Sequence, residues 1–285
     1  MKIAHYKQTG LSNAPEAISN IINKYTDHEA SVFGYGYASE KTNLLQYLDI
    51  IHLHNRNMFN SSKLPRLIQY HSEPFRVDLS VAIPKAVIAQ YHATLPEYKN
   101  CTIVRNPIDL WEDMNIPKYY DKKIKIGYSP SNKKDRGWYN KGYRQTTTIL
   151  QKLKEKYKEK IDIDVIHGIG YRECRQRKSL CNIIIDEVMT GSYHRSGLEG
   201  LSLGCLTICK ISDGVDKVIK NVAKSDGHPF LSCSIQELEN VLINLVENKG
   251  IDYIMQKGVN SREWMKKYWN PIDIAEEYIE IYKSL

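Results

Sequence analysis

The chain has no apolar run approaching the roughly 20 residues that span a bilayer, so an integral membrane segment is not expected. Its opening, Met1-Lys2-Ile3-Ala4-His5-Tyr6, reads as a strand and lacks the long apolar core of a signal peptide. Six cysteines include no CxxC pair and no zinc-ligand spacing, which argues against a disulfide scaffold or a cysteine-held zinc. Cys205 and Cys209 flank an expected buried strand and read as small hydrophobes in a reduced, cytoplasmic protein. A GxGxxG fingerprint, internal repeats and low-complexity tracts are absent too. What is present is ordinary for a water-soluble globular chain: 285 residues, 42% hydrophobic and 26% charged, enough for two small domains or one large one. The net charge of +7 allows an anionic partner, although much of the excess is lysine on solvated helical faces such as 151–160.

The chain is organised around Asp186 to Ile208, DEVMTGSYHRSGLEGLSLGCLTI. The β-branched run Asn182-Ile183-Ile184-Ile185 before it reads as a buried strand. Ser196-Gly197 is expected to open a small-residue helix over Leu198 to Gly204, and Leu206-Thr207-Ile208 to start another strand. Free N–H groups and the positive dipole end at such a helix start suit an anion. Glu199, in the expected first turn, could accept hydrogen bonds from a diol such as a ribose.

This segment resembles the donor-binding signature of GT-B glycosyltransferases of the retaining, family-4 type. That signature has two glutamates separated by seven residues, then a small-residue helix and a glycine. Glu199 matches the second glutamate, which in the family holds the donor's ribose hydroxyls, and Leu198 stands beside it. The first glutamate's position is occupied by Gly191, a departure that touches sugar selectivity and turnover.

Other stretches match in order. Lys2 to Tyr6, a turn at Gln8 to Asn13, a helix from Ala14 and a strand from Ala30 open a doubly wound α/β domain. Gly10 in that turn is an acceptor-side candidate. Asp49-Ile50-Ile51-His52-Leu53-His54-Asn55 resembles the family's DIIHxHN strand. His52 and His54 share one strand face, but no third ligand is evident in the sequence and the family uses no metal, so none is expected. His71, ending the strand Leu67 to Tyr70, resembles the family histidine that faces the sugar. It is the acceptor-side and catalytic candidate, with Glu73 a weaker base. Arg105-Asn106-Pro107-Ile108-Asp109 resembles the string that closes the first domain.

Residues 111–123 read as a linker, which sets the expected domains: 1–110 for the acceptor, 124–259 for the donor, and helices 260–285, broken at Asn270-Pro271, returning to the first. Ile124 to Gly127 matches the strand that opens the donor domain. The family's diphosphate arginine is replaced there by Tyr128-Ser129, with Lys133, Lys134 and Arg136 as candidate substitutes. Lys141-Gly142, before a helix over 144–156, matches the family's KG, whose lysine neutralises the diphosphate. Gly168 and Tyr171 are candidate neighbours of the base. His194 and Arg195 would meet phosphate or sugar, and Gly197 the diphosphate.

The resemblance implies two Rossmann-like domains enclosing a cleft. It also implies retaining, metal-independent transfer from a nucleotide-diphosphate sugar such as a UDP-sugar, with no cofactor. Glu199 would be the second catalytic candidate beside His71. The acceptor would be a cell-envelope glycan, a lipid-linked saccharide or a hydroxymethylated DNA base. The alternative is a catalytically inactive GT-B module that binds glycan, nucleotide or a partner.

Overall fold

In the computed structural model the short β-branched runs become strands of two parallel sheets, with helices formed by some of the segments that connect and follow them. The structure describes residues 1–7, 13–34, 45–59, 62–108, 110, 123–130, 133 and 140–285. Gly10, Asp109, Lys134, Arg136 and the expected linker, apart from Lys123, lie outside the described residues. Among the described residues no helix is long and apolar enough to cross a membrane.

The chain divides into two compact units, Met1–Asp109 with Asn221–Ala223 and Trp269–Leu285, and Leu110–Lys220 with Lys224–Tyr268. In the first, strands β1 (Lys2–Lys7), β2 (Glu29–Gly34), β3 (Ile50–His54), β4 (Arg66–Tyr70), β5 (Lys85–Ile88) and β6 (Thr102–Val104) lie in the order β2-β1-β3-β4-β5-β6. Every residue of β3 is buried, as a strand covered on both faces requires. One face carries Ala4, Tyr6, Ile51, Leu53, Ile68, Tyr70 and Val87 into an apolar core. The alternate residues His5, His52, His54 and Gln69 point the other way.

Two helices cover parts of this unit. Helix α1 (Ala14–Tyr25) has Pro15 in its first turn, where a missing N–H costs nothing, and buries Ile18, Ile21 and Ile22. The last helix of the chain, Pro271–Lys283, packs against α1. Asn270 caps it by accepting from the Ile272 N–H at 2.9 Å. Trp269 is fully buried and donates its indole N–H to the Asn106 carbonyl at 2.9 Å. Arg105 grips Glu277 through two hydrogen bonds of 2.6 and 3.1 Å.

The second sheet has the order β10-β9-β7-β8, formed by β7 (Ile124–Tyr128), β8 (Ile161–Val165), β9 (Ile183–Ile185) and β10 (Leu206–Ile208). Its helices are α2 (Tyr143–Lys156), α3 (Tyr171–Ser179), α4 (Arg195–Ser202), α5 (Asp213–Ala223), α6 (Leu238–Asn244) and α7 (Gly250–Tyr268), which makes the chain's last helix α8. Helix α5 runs across the division between the units. The helix expected over 234–247 is shorter: Ser234 and Glu237 bond side chain to side chain before it, and a π-turn over Leu245–Lys249 leads into α7. The helix preceding the Asn270-Pro271 break starts at Gly250, ten residues before the expected 260.

Both sheets reverse their strand order beside the first strand of the unit, β1/β3 in one and β7/β9 in the other. In open α/β sheets ligands bind beyond the strands' carboxyl ends at such switch points.

Helix α7 reaches β10 and α4 through a contact of two glycines. A Cβ on Gly258 would overlap the Gly204 carbonyl oxygen, and Gly204 itself has φ +69°. Gly258→Ala should therefore destabilise the second unit by about 2 kcal/mol or more, although alanine is the better helix former. A urea midpoint by circular dichroism checks this, and an unchanged or higher midpoint would contradict it.

Candidate functional site

The carboxyl ends of β7 and β9 bring together Lys141, Asp186, Glu187 and His194. Asp186 follows directly on the apolar strand β9 and is buried at 4% exposure. Its Oδ2 accepts the His194 N–H at 2.6 Å, and His194 is the N-cap residue of α4. The expected helix thus begins two residues earlier than Gly197, which sits inside the first turn. Glycine is required there for space: a Cβ would lie 2.6 Å from Asp186 Oδ2. Leu198 is a core residue, 1% exposed, and makes no part of the site's surface.

Lys141 is 6% exposed, and its Nζ lies against both ring nitrogens of His194, 3.4 Å from Nδ1 and closer to Nε2. An ammonium can only donate, so the ring nitrogen that it bonds must be unprotonated. Burial lowers the lysine's pKa, and the nearby Glu187 and Asp186 carboxylates oppose that shift. Gly142, with φ +65°, turns the chain from Lys141 into α2. Tyr128, expected at the donor surface, is instead fully buried and donates its hydroxyl to the Lys141 carbonyl at 3.0 Å, so it positions the lysine's backbone. Ser129 Oγ lies 3.3 Å from Cys174 Sγ.

The loop between β9 and α4 is held by Glu187, which sequence reading did not single out. Its carboxylate accepts the N–H groups of Met189, Thr190 and Ser192 and the Thr190 hydroxyl at 2.7 to 3.2 Å. Only the acidic residue beside Asp186 in the sequence hinted at this. Gly191, where the resemblance puts a glutamate, has φ +84° and would bring a Cβ to 3.3 Å from Ser212. The backbone conformation that the loop needs there is one that side chains rarely adopt.

Glu199 differs most from its expected role. It is the fifth residue of α4, and its side chain is 5% exposed. Lys178, 2% exposed, donates to its Oε2 at 2.6 Å and to Ser196 Oγ at 2.9 Å, and Arg195 Nε donates to its Oε1 at 3.3 Å. Burial is the largest influence and would lower the Lys178 pKa, but Glu199, Cys174 and Asp186 together more than offset it and the net shift is upward. The carboxylate is therefore engaged from both sides and is not an open diol acceptor. Arg195 also reaches the Tyr171 hydroxyl at 3.0 Å and lies 5.1 Å over that ring, which is 40% exposed. Gly168 is an exposed turn residue with φ +73°.

In the first unit the fold supplies a neighbour that the sequence did not reveal. His5 of β1 pairs in register with His52 of β3. His5 Nδ1 lies 3.1 Å from His54 Nε2, and His54 Nδ1 lies 2.9 Å from His71 Nε2. His52 Nδ1 bonds the Tyr282 hydroxyl at 2.7 Å. Nitrogens of His5, His52 and His54 come within 4.8 Å of one another. Bonds of about 2.0–2.1 Å to one cation would need a tighter set, and both His54 nitrogens already serve the imidazole chain. The cluster fits a hydrogen-bonded relay better than a metal centre. If His71 presents a bare Nδ1, protons run His71 to His54 to His5 and the last stays on His5 Nε2. Glu73 is paired with Arg76 at 3.1 Å.

Two predictions come from these burials. Removing Glu199 strands the Lys178 ammonium, so Glu199→Ala should cost the second unit about 3–5 kcal/mol, with most of it recovered in Glu199→Leu/Lys178→Met. Chemical denaturation of both variants checks this, and a small loss in the single variant would contradict it. The units should also respond to pH in opposite directions. Burial pushes the Asp186 carboxyl up from 3.8 to about 7, so its contribution to stability is full below 3.8 and is lost as pH rises through 7. Burial lowers His5 from 6.5 to about 3 and His71 to about 4, so theirs is full above 6.5 and is lost as pH falls towards those values. From about pH 7.5 to about pH 5, hydrogen exchange corrected for intrinsic rates should slow in the second unit and quicken in the first. Asp186→Asn should remove the second unit's slope.

No protein-family model matches the chain, and no curated protein matches it in sequence. Solved structures match along nearly all of it. A glycosyltransferase from Rickettsia africae gives a TM-score of 0.65 at 14% identity, covering 99% of this chain and 98% of that one. HepE from Anabaena, in complex with UDP and glucose, gives 0.61 at 13% identity over 100% of both chains. UDP-GlcNAc 2-epimerase from Neisseria meningitidis, bound to UDP-GlcNAc, gives 0.55 at 11% identity over 100% of both. At such identities the likeness is one of fold. The chain has the GT-B fold, α/β with two Rossmann-like units built on parallel sheets.

Proposed function

We propose that this protein is a nucleotide-sugar-dependent glycosyltransferase whose second unit holds the donor. The observation that carries the reading is Lys141: a nearly buried lysine set against His194 at the start of α4, beyond the carboxyl ends of β7 and β9. Burying an ammonium is costly, and a diphosphate in contact with it offsets that cost. The dipole and N–H groups at the start of α4 favour the same anion. Asp186 would oppose it when ionised, but burial keeps that carboxyl largely protonated up to about pH 7.

In this reading the bond between the sugar's anomeric carbon and the diphosphate oxygen breaks, and a bond to an acceptor hydroxyl forms. Lys141 stabilises the charge gathering on the departing diphosphate. His71, kept neutral by burial and oriented by His54, is the group that takes the hydroxyl proton. Arg195 and Tyr171 lie where the nucleoside would rest. The Glu199 ion pair holds α4 and gives the ribose no open carboxylate unless Arg195 moves aside. Retention and metal independence belong to this reading through the family resemblance. So do the acceptor classes: a glycan, a lipid-linked saccharide or a hydroxymethylated base in DNA.

The engaged Glu199 favours a second reading, a nucleotide-binding module without transfer. Calorimetric titration with UDP and UDP-glucose, together with release of UDP from the donor, separates the two. Binding with sugar release supports the enzyme, and binding alone supports the module. Lys141→Ala should weaken UDP binding about 10- to 100-fold, the loss of roughly 1.4–2.7 kcal/mol. If no nucleoside diphosphate binds the wild-type chain, both readings fail.

A further inference from the structure

The second unit carries a cavity that the donor site does not use. It has a volume of about 460 Å³, within the range of small-molecule sites. Its walls include Leu206, the first residue of β10, and the segment running from Ser225 to Leu231. Leu231 bridges in parallel to Ile208 and Leu206 lines the cavity, so the cavity lies beside the amino-terminal end of β10, whereas Lys141 and His194 lie at the carboxyl ends.

Its chemistry is mixed in a particular way. Trp264 and Tyr268 form a corner of two rings, 5.7 Å between centroids and tilted by 44°. The indole N–H donates to the Gly227 carbonyl at 2.9 Å, which fixes the ring and anchors the loop. The lining also carries polar groups. His228 Nε2 faces Asp216 Oδ1 at 3.4 Å, and its Nδ1 is buried without a hydrogen-bond partner. Burial lowers the His228 pKa despite the Asp216 carboxylate. Asp226 supplies an acceptor, and Lys257 and Asn260 supply donors.

We infer that this cavity is a saccharide-binding site that takes a hexopyranose, separate from the nucleotide-sugar site. A pyranose ring pairs an apolar C–H face, which suits Trp264 and Tyr268, with hydroxyls that both donate and accept. Asp226 can accept from those hydroxyls, and Lys257 and Asn260 can donate to them. A phosphate-bearing ligand fits poorly, since Asp226 would repel it and Lys257 is the one lysine among the described lining residues. The inference does not depend on the proposed transferase activity.

Saturation-transfer NMR on the full chain tests it, with methyl α-glucopyranoside and N-acetylglucosamine titrated at millimolar concentration and UDP binding followed in parallel. Saturable binding by a hexoside, undisturbed by UDP, is expected. The exposed Asp226→Ala and Lys257→Ala should each weaken it about tenfold or more and leave UDP affinity unchanged. The inference is overturned if neither sugar binds, if UDP displaces the sugar, or if both folded variants bind it as well as wild type. A dimer in sedimentation that blocks the cavity would overturn it too. UDP binding without sugar binding sinks this inference alone, and sugar binding without UDP binding sinks only the donor reading.

Discussion

A buried carboxyl at the end of an apolar strand decides the local geometry of the second unit. Asp186 accepts the N–H of His194 and so sets where α4 begins. The same oxygen occupies the space that a side chain at position 197 would need. Once α4 starts at Arg195, His194 is turned towards Lys141 and Glu199 falls on the helix face that meets Lys178. Strand, loop, helix and lysine are thus tied through one short-range contact. Such a contact tolerates no extra methyl group, because protein interiors are close-packed.

Charges are handled differently at the two ends of this short helix. At its start Lys141, Asp186, Glu187 and His194 form a mixed group in which burial disfavours the charged forms of both Lys141 and Asp186. Such a group changes its balance when an anion arrives, which is the behaviour a binding site needs. On the buried face the Lys178–Glu199 pair is matched and closed, with Ser196 and Arg195 taking up further bonding capacity. That pair reads as structure: its charges satisfy each other and leave little for a ligand.

The first unit solves a different problem. Four imidazoles share one face of its sheet, shut in by α8 through Tyr282 and Tyr278, and burial keeps them neutral. Neutral imidazoles each offer one donor and one acceptor, so a chain of them passes orientation along its length. His71 stands at the outer end of that chain, and its ring is aimed by residues from two other strands.

Local pattern alone settled the element order and the parallel α/β class. Apolar runs of strand length, helical periodicity and glycine punctuation all depend on near neighbours. The family resemblance, together with a place beside an expected helix start, is what marks out Lys141 and His194. Only the folded chain decided that Glu199 is an ion-pair partner, that Tyr128 is core and that Gly191 needs a left-handed backbone. Those outcomes turn on Lys178, the Lys141 carbonyl and Ser212, none of them a near neighbour in sequence. His5 joins the imidazole chain for a similar reason: strand register, which no one-dimensional pattern records, sets it opposite His52.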